Sequence, residues 1–340
     1  MESEAAGVLP RVPASAVQRV GVGHRRFTRL VEGVVEGVVK ITALSAIVVI
    51  FLIFIFVGRE ALPLLWQHSE PGLEQETVTW SKLVGPTEYP DRPARFMWQP
   101  VSNVPKYNLL PLIIGTLKTT IIAILFAGPL AILAAILSSE FAPRWLRELI
   151  KPTIELLAGI PSVVLGFFAL IVLASWLQGL LGLRIRLNAL NAGIALGLAV
   201  IPIIFTVAED ALTAVPKAYR EASFALGANR WETAIKVVVP AAIPGIFAGV
   251  VLGFGRAVGE TMVVLMASGN AATTTWAFTD SVRTLSATIA AELGEVVFGS
   301  PHYRVLFLIG VLLFVFTFAV NLCGEIYVQR LKERLEGSRT

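Results

Sequence analysis

Arg256 and Glu260 are charged residues inside an otherwise apolar stretch of the sequence, 240–267. A charge at the centre of a membrane helix costs about 2.5 to 3.5 kcal/mol on insertion scales, so such residues are functional candidates. A planar guanidinium matches phosphate or carboxylate oxygens in bidentate fashion. Four residues apart on a helix, the two side chains share a face and can pair. The spacing predicts an anion site at Arg256, with Glu260 holding the arginine when no anion is bound. The alternative is an ion pair that only holds helices together.

A second candidate is the polar segment 216–240, PKAYREASFALGANRWETAIKVVVP. It predicts a hairpin of two short helices. The first ends at Gly227, because glycine readily adopts the left-handed conformation that closes a helix. The second begins at Asn229, which can form a capping box with Glu232 three residues later. Pro240 closes the unit before the next apolar stretch.

Apolar stretches long enough to cross a membrane flank both candidates. Of 340 residues, 55% are hydrophobic and 15% are charged, and the mean hydropathy is +0.74. This composition lies outside that of soluble domains. A bilayer span needs about 20 mostly apolar residues, so we predict an all-α membrane protein with six transmembrane helices, at 41–62, 109–137, 153–178, 189–208, 240–267 and 304–328.

The basic residues predict the orientation of these helices. Lysine and arginine are concentrated before the first span, at 138–152, at 209–239 and in the C-terminal tail. Many of the others lie in one long loop, where charge has little influence on orientation, so both termini are expected in the cytoplasm. The basic residues form no stripe with interleaved aromatics, which argues against a nucleic-acid partner.

The spans divide the chain into five predicted parts. Arginines precede the first apolar run, as in a signal peptide, but that run is too long and no small-residue cleavage site follows it. In the long loop, prolines preclude a long helix, and Trp66, Trp80 and Trp98 either lie at the headgroup level or contact an external partner. The parts are a cytoplasmic arm at 1–40, the first transmembrane helix at 41–62, an extracytoplasmic loop at 63–108, a core at 109–328 that includes the cytoplasmic loop 209–239, and a cytoplasmic tail at 329–340.

Glycine spacing predicts a close helix contact in the fifth span. Gly245, Gly249 and Gly253 recur every four residues, and small residues at that spacing let two helices approach closely. The span is therefore expected at the centre of the bundle or at a subunit contact. Residues 281–296 predict a short helix that is too polar to span, at the outer surface or re-entering partway.

The remaining polar residues indicate no further chemistry. Lys118 and Arg304 lie near span ends and are expected to extend toward the interface, and Glu155 is expected at the N-terminus of the third span. Cys323 is the single cysteine, so no intramolecular disulfide can form. The three histidines are too scattered for a metal site, at positions His24, His68 and His302.

The hairpin segment resembles the docking loop of the membrane subunits of ATP-binding-cassette (ABC) importers. That family has E-A-A, three residues, G, nine residues and I-x-L-P, and this sequence differs only in serine for the third alanine and valine for isoleucine and leucine. The resemblance implies docking into a groove of an ATPase subunit. No G-x-x-x-x-G-K-[ST] phosphate loop is present, so another chain must hydrolyse ATP. The matching residues are Glu221, Ala222, Ser223, Gly227 and Pro240.

Other stretches are similar to the PstC family of phosphate permeases. The similarity implies a type I (MetI-like) permease of the bacterial cytoplasmic membrane, with Arg256 and Glu260 on the anion path and no catalytic residue or cofactor of its own. It also implies a PstA-like second permease, two copies of a PstB-like ATPase and an extracytoplasmic PstS-like phosphate-binding protein. The similar stretches are 109–120, 154–170, 253–262, 284–296 and 302–321.

Other functions remain open at the level of sequence. One alternative is a permease for another oxyanion, such as molybdate, sulfate or phosphonate, and another is the PstA-type partner subunit. A different class is a secondary transporter or channel that needs no ATPase. A receptor or scaffold would have little reason to keep Arg256 in a glycine-lined span.

Overall fold

The computed structural model describes residues 22–66, 78, 80–89, 92–102 and 104–337. Predictions for 1–21, 67–77 and 338–340 lie outside these residues, as does His68. The chain divides into the units Met1–Phe56 and Val57–Thr340. In its described part, the first unit is a single helix with an exposed apolar surface.

Helices account for most of the described chain. In chain order they are α1 (Val22–Ala61), α2 (Pro63–Trp66), α3 (Trp80–Val84), α4 (Leu110–Ile136), α5 (Arg144–Ala158), α6 (Ser162–Phe168), α7 (Ala174–Leu181), α8 (Ala189–Thr213), α9 (Lys217–Ala225), α10 (Arg230–Thr233), α11 (Val239–Gly259), α12 (Met262–Ala267), α13 (Leu285–Glu292) and α14 (Pro301–Gly337). Among the described residues, π-helical turns at Ala169–Leu173 and Ala234–Val238 join α6 to α7 and α10 to α11, and a third at Leu137–Phe141 continues α4.

Six helical stretches of the described residues are long and apolar enough to cross a membrane, which confirms the predicted number. They are Val31–Ala61, Leu110–Phe141, Ser162–Leu181, Ala189–Thr213, Arg230–Gly259 and Pro301–Leu331. Their limits differ from the predicted ones mainly because helices continue into the polar flanks, where backbone hydrogen bonds still favour a helix although hydropathy has fallen.

The third span begins later than the prediction of 153–178. Gly159 and Pro161 interrupt the helix, so α5 is a separate helix and the span starts at Ser162. None of the α5 side chains is buried. Glu155 therefore lies inside α5 and not at the start of a span, which corrects that expectation.

The core of the second unit is built on α8, which packs along α4 and α11. Glycines allow these close contacts. A Cβ at Gly253 would lie 2.6 Å from Ile204 Cγ1, and a Cβ at Gly245 would collide with Ala211. The predicted role of the α11 glycines is confirmed, and their partner is α8.

The direction of the helices defines two ends of the unit. The starts of α4, α8 and α14 share one end, here the loop end, with the segment 268–284 and α13. The ends of α4 and α8 lie beside α9 at the other end, here the hairpin end. The helix predicted at 281–296 is shorter than expected, because Thr284 caps α13 at Leu285.

Small antiparallel strand pairs complete the loop end. Strands β1 (Thr87–Tyr89) and β2 (Arg92–Arg95) form one pair, and β3 (Trp98–Gln99) and β4 (Lys106–Tyr107) form the other. In the described part of the proline-rich loop the elements are short, as expected. Trp98 and Tyr107 are buried against the start of α14, which anchors this loop to the bundle.

Candidate functional site

Arg256 lies at mid-depth of the bundle. Gly253, one turn earlier on α11, contacts Val200 and Ile204 near the middle of α8. On the opposite side of α11, Gly255 lies against Asn321 in the middle of α14. The Arg256 side chain is exposed and has no hydrogen-bond or ion-pair partner among the described residues. A charge on the surface of this unit therefore stands at a depth where lipid could not solvate it.

Helix α11 ends beside this arginine. Gly259 is its last residue, and the backbone of Glu260 is extended, with φ −68° and ψ 133°, before α12 begins at Met262. Glu260 accepts hydrogen bonds from the Thr261 N–H at its Oε1 (3.2 Å) and from Ser286 Oγ at its carbonyl oxygen (2.7 Å). Non-helical backbone at membrane depth is tolerated only where protein buries it or where it lines an aqueous cavity.

The expected ion pair between Arg256 and Glu260 is not formed. The prediction assumed a continuous helix, in which residues four apart share a face. Glu260 is the first residue after the helix, and its Oε1 instead accepts from the Thr261 N–H, so Arg256 keeps its donors free. Both residues nevertheless lie beside the break between α11 and α12. The Arg256 guanidinium can offer a planar set of donors to an anion there.

The hairpin 216–240 has the predicted caps. Gly227 has φ +85°, and the Ala228 N–H donates to the Ser223 carbonyl (3.2 Å) while the Gly227 N–H donates to that of Phe224 (2.9 Å). This is a Schellman motif. Asn229 and Glu232 form the expected capping box at α10. The turn and both caps are confirmed. The second helix is not a separate short one closed by Pro240, because it continues through the π-helical turn at Ala234–Val238 into α11, where Pro240 is accommodated in the first turn.

The docking residues taken from the resemblance occupy different environments. Glu221 and Ala222 are exposed on α9, whereas Ser223 is buried and its Oγ lies 2.9 Å from Thr233 Oγ1. Gly227 lies at the turn, and Pro240 lies in the first turn of α11. Ser223 therefore fixes the two arms of the hairpin to each other.

The free surface of the hairpin is unusually apolar. Leu226 is 90% exposed, and Phe224 and Trp231 are also exposed. Beside Leu226 lies an open pocket of about 560 Å³ with mainly apolar walls, which include Tyr219 and Val237. Exposed apolar residues next to a concavity mark a contact site for another protein.

Basic residues that sequence reasoning missed hold elements together at the hairpin end, and Arg220 attaches the hairpin itself. The Arg220 guanidinium donates to both carboxylate oxygens of Glu140, from Nη2 at 2.7 Å and from Nε at 3.2 Å. On α5, Arg147 donates to the carbonyls of Ser138 and Ser139, and Lys151 forms a 2.9 Å pair with the buried Glu209. The hydrogen bond to Glu209 is the main reason that the pKa of Lys151 is raised. No spacing rule pairs residues so far apart in sequence.

The position of the Lys118 side chain differs from the one expected. Its side chain does not extend to the interface but is 0% exposed, and Nζ donates to the carbonyls of Thr275 and Ala277 (2.9 Å each). The backbone of the segment 268–284 also crosses α4 at Gly115, where a Cβ would collide with the carbonyl of Arg283. Lys118 is thus a structural tie between α4 and this segment.

A largely buried carboxylate organises the loop end. Glu292 accepts from Arg283 Nη2 (2.6 Å) and Trp98 Nε1 (3.0 Å), and lies 2.8 Å from His302 Nε2. Burial would raise the pKa of Glu292, but the hydrogen bonds from His302 and Trp98 and the charge of Arg283 outweigh it and hold the pKa below its ordinary value. His302, which the sequence left without a role, is therefore part of this cluster.

Comparison with known proteins agrees with these features. Residues 127–336 match the family model described as binding-protein-dependent transport system inner membrane component. The chain is 40% identical over 221 residues to a probable ABC transporter permease protein, YqgH, of Bacillus subtilis, covering 65% of this chain and 72% of the relative. It is 35% identical over 261 residues to the phosphate transport system permease protein PstC of Xylella fastidiosa, covering 71% and 79%.

Solved structures support the fold. A bacterial ABC transporter involved in the import of the acidic polysaccharide alginate matches with a TM-score of 0.57 at 17% identity, covering 89% of this chain and 99% of the other. The architecture is that of a type I, MetI-like, ABC importer permease. With a matched family model over most of its length and six membrane-spanning helices, the chain belongs to the family of binding-protein-dependent transport system inner membrane components.

Proposed function

We propose that this protein is a permease subunit of an ATP-driven importer of inorganic phosphate. The observation that carries the proposal is the exposed guanidinium of Arg256 at mid-depth, beside the break between α11 and α12. Such a charge requires water or a protein partner around it, because lipid would not solvate it. An aqueous path between this chain and a second permease satisfies that requirement and gives a passing anion access to the guanidinium.

The names of the relatives favour phosphate as the substrate. Several relatives at 31 to 36% identity carry the name phosphate transport system permease protein PstC. An arginine can bind two phosphate oxygens at once. Because no ion pair holds Arg256 to Glu260, the guanidinium is available to the anion; Glu260 lines the same break and keeps a negative charge nearby, which limits how tightly the anion is held.

ATP would be hydrolysed by another chain, which docks at the hairpin. The exposed surface of Glu221, Ala222, Leu226 and Trp231 suits a protein groove, and the adjoining pocket of about 560 Å³ has room for side chains of the partner. Two PstB-like ATPase subunits, one for each permease, would dock at these hairpins. The complex would also include a PstA-like permease and a PstS-like binding protein at the loop end.

In the proposed function, each end of the unit faces a defined side of the membrane. The hairpin end would face the cytoplasm with both chain termini, and the loop end would face outward. The parts of the chain are then a cytoplasmic arm at 1–40, an outer loop at 63–108 and a cytoplasmic tail at 329–340, around the permease core at 109–328.

The test is uptake of labelled phosphate by proteoliposomes that contain this chain, a PstA-like permease, a PstB-like ATPase and a PstS-like binding protein. We expect uptake that requires ATP and survives a large excess of sulfate, molybdate or phosphonate. Loss of labelled uptake to one of these anions would assign that anion instead. Equal uptake by this chain alone, with no ATPase, would indicate a channel or secondary transporter.

A further inference from the structure

The Arg220 side chain joins three elements at the hairpin end. It starts on α9 and donates to Glu140 in the π-helical turn that ends the second span. It also donates to the carbonyl of Leu212 in the last turn of α8 (2.9 Å) and to that of Val215 just beyond it (2.7 Å). Both ends of the ion pair are largely buried. The last carbonyls of a helix lack partners within it and favour a cation.

This contact constrains a junction that would otherwise bend. Only Ala214, Val215 and Pro216 connect α8 to α9, and a short irregular connection can absorb rotation in its backbone angles. The other arm of the hairpin continues through α10 and a π-helical turn into α11, which carries Arg256. The hairpin is therefore covalently continuous with α11. Its contacts with the turn that ends the second span are made by side chains: the Arg220–Glu140 ion pair, and the Trp231 ring, whose centroid lies 5.7 Å from that of Phe141. Of these two contacts, the ion pair is the one that starts on α9.

We propose that Arg220 is a positioning residue that makes α9 move as one body with α4 and α8. The inference rests on the proposed function, because the force on α9 would come from the docked ATPase. With the ion pair intact, a displacement of α9 carries the ends of α4 and α8 along with the hairpin and α11, and so changes the surroundings of Arg256. Without it, α9 turns about residues 214–216 and ATP is hydrolysed with little movement of the pathway.

The first measurement is the amount of phosphate imported per ATP hydrolysed by the reconstituted complex. In Arg220→Met we expect this ratio to fall about tenfold, the effect of about 1.4 kcal/mol of lost coupling, while ATP hydrolysis continues. Because the single variant leaves Glu140 buried without a partner, the double variant Glu140→Leu/Arg220→Met is measured beside it. Replacing a buried pair by apolar residues is often neutral for stability. The ratio of phosphate imported to ATP hydrolysed should therefore fall as much in the double variant as in Arg220→Met.

A matched control is the double variant Lys151→Met/Glu209→Leu, which removes an ion pair at the same end of α8 without involving α9 and leaves no buried charge unpaired. The ratio should stay within twofold of that of the wild type.

A second measurement does not depend on the solute. It is the distance between spin labels at Lys217→Cys on α9 and Leu133→Cys on α4, in a Cys323→Ser background, with and without ATP.

In the wild-type sequence this distance should remain constant when ATP binds, and in Arg220→Met it should change or broaden. An unchanged import ratio in both Arg220 variants, or the same label distances with and without Arg220, would overturn the inference and leave the proposed function intact. Failure of the wild-type complex to import phosphate would instead refute the proposed function, and the label distances would still decide the role of Arg220.

Discussion

Two basic residues inside spans have opposite environments in this protein. Lys118 is completely enclosed and satisfied by backbone carbonyls, whereas Arg256 is exposed and has no partner among the described residues. Both residues look alike in a hydropathy profile. The difference arises because the segment 268–284 folds over α4 and supplies carbonyls to the lysine, while nothing in the described chain covers the arginine.

Replacing Arg256 tests its role in the anion path. Arg256→Gln keeps a hydrogen-bonding side chain but removes the charge, and we expect ATP-driven phosphate uptake to fall at least about thirtyfold, the equivalent of about 2 kcal/mol. The amount of assembled complex should not change, because Arg256 makes no contact that holds this chain together. Arg304→Gln is the control, and uptake close to that of the wild type is expected there. Unimpaired uptake in Arg256→Gln would remove the residue from the pathway.

The Glu292 cluster predicts a specific dependence of stability on pH. A carboxyl whose pKa is lowered by folding stabilises the folded state above its ordinary pKa of about 4.3, and this contribution disappears as the pH falls through the lowered value. At pH 7, Glu292→Gln should lower the free energy of unfolding by about 2 kcal/mol, because the partners of the carboxylate lose a charged acceptor.

The measurement is thermal unfolding of both proteins in detergent from pH 7 to pH 3. The difference in melting temperature should begin to shrink as the pH falls below the ordinary glutamate pKa of about 4.3, because the unfolded chain then binds a proton that the folded carboxylate still resists. A difference that is constant over the whole range would contradict the assignment of a lowered pKa to Glu292.

At the scale of elements, the hairpin has an exposed face, which is the proposed docking face, and an attachment face. Glu221 lies on the first and Arg220 on the second, while Ser223 joins the two arms. Because Glu221 is exposed, Glu221→Lys should leave the melting temperature of the isolated chain unchanged while reducing co-purification of the ATPase at least about tenfold, as reversal of an interface charge costs well above 1 kcal/mol.

Glu148→Lys provides the control for charge. Glu148 is an exposed glutamate on α5, and its reversal should leave the co-purified ATPase at the wild-type level. Full binding of the ATPase to Glu221→Lys would show that Glu221 lies outside the contact.

For the whole molecule, the ordering of the two ends predicts a topology that labelling can test. Val101 at the loop end is 91% exposed, and Lys217 at the hairpin end is also exposed. In a Cys323→Ser background, an impermeant thiol reagent should label Val101→Cys in intact cells and Lys217→Cys only in inside-out vesicles. The reverse pattern would invert the orientation predicted from the basic residues.

Much of the architecture follows from local sequence. Hydropathy determined six spans because burial in a bilayer requires long apolar helices, whatever their neighbours. Gly227, Asn229 and Glu232 determined the hairpin turn because caps act over a few residues. The spacing of Gly245, Gly249 and Gly253 determined that α11 packs closely against another helix, since small residues permit that approach.

Tertiary structure decided what depends on contacts between distant segments. It placed Ser286 against the Glu260 carbonyl at the break after Gly259, and it enclosed Lys118 beneath the segment 268–284. It also brought Arg220 to Glu140, 80 residues away, and His302 to Glu292. Periodicity describes only neighbours on one helix, so the partner of a charge remains undetermined until the chain has brought distant segments together.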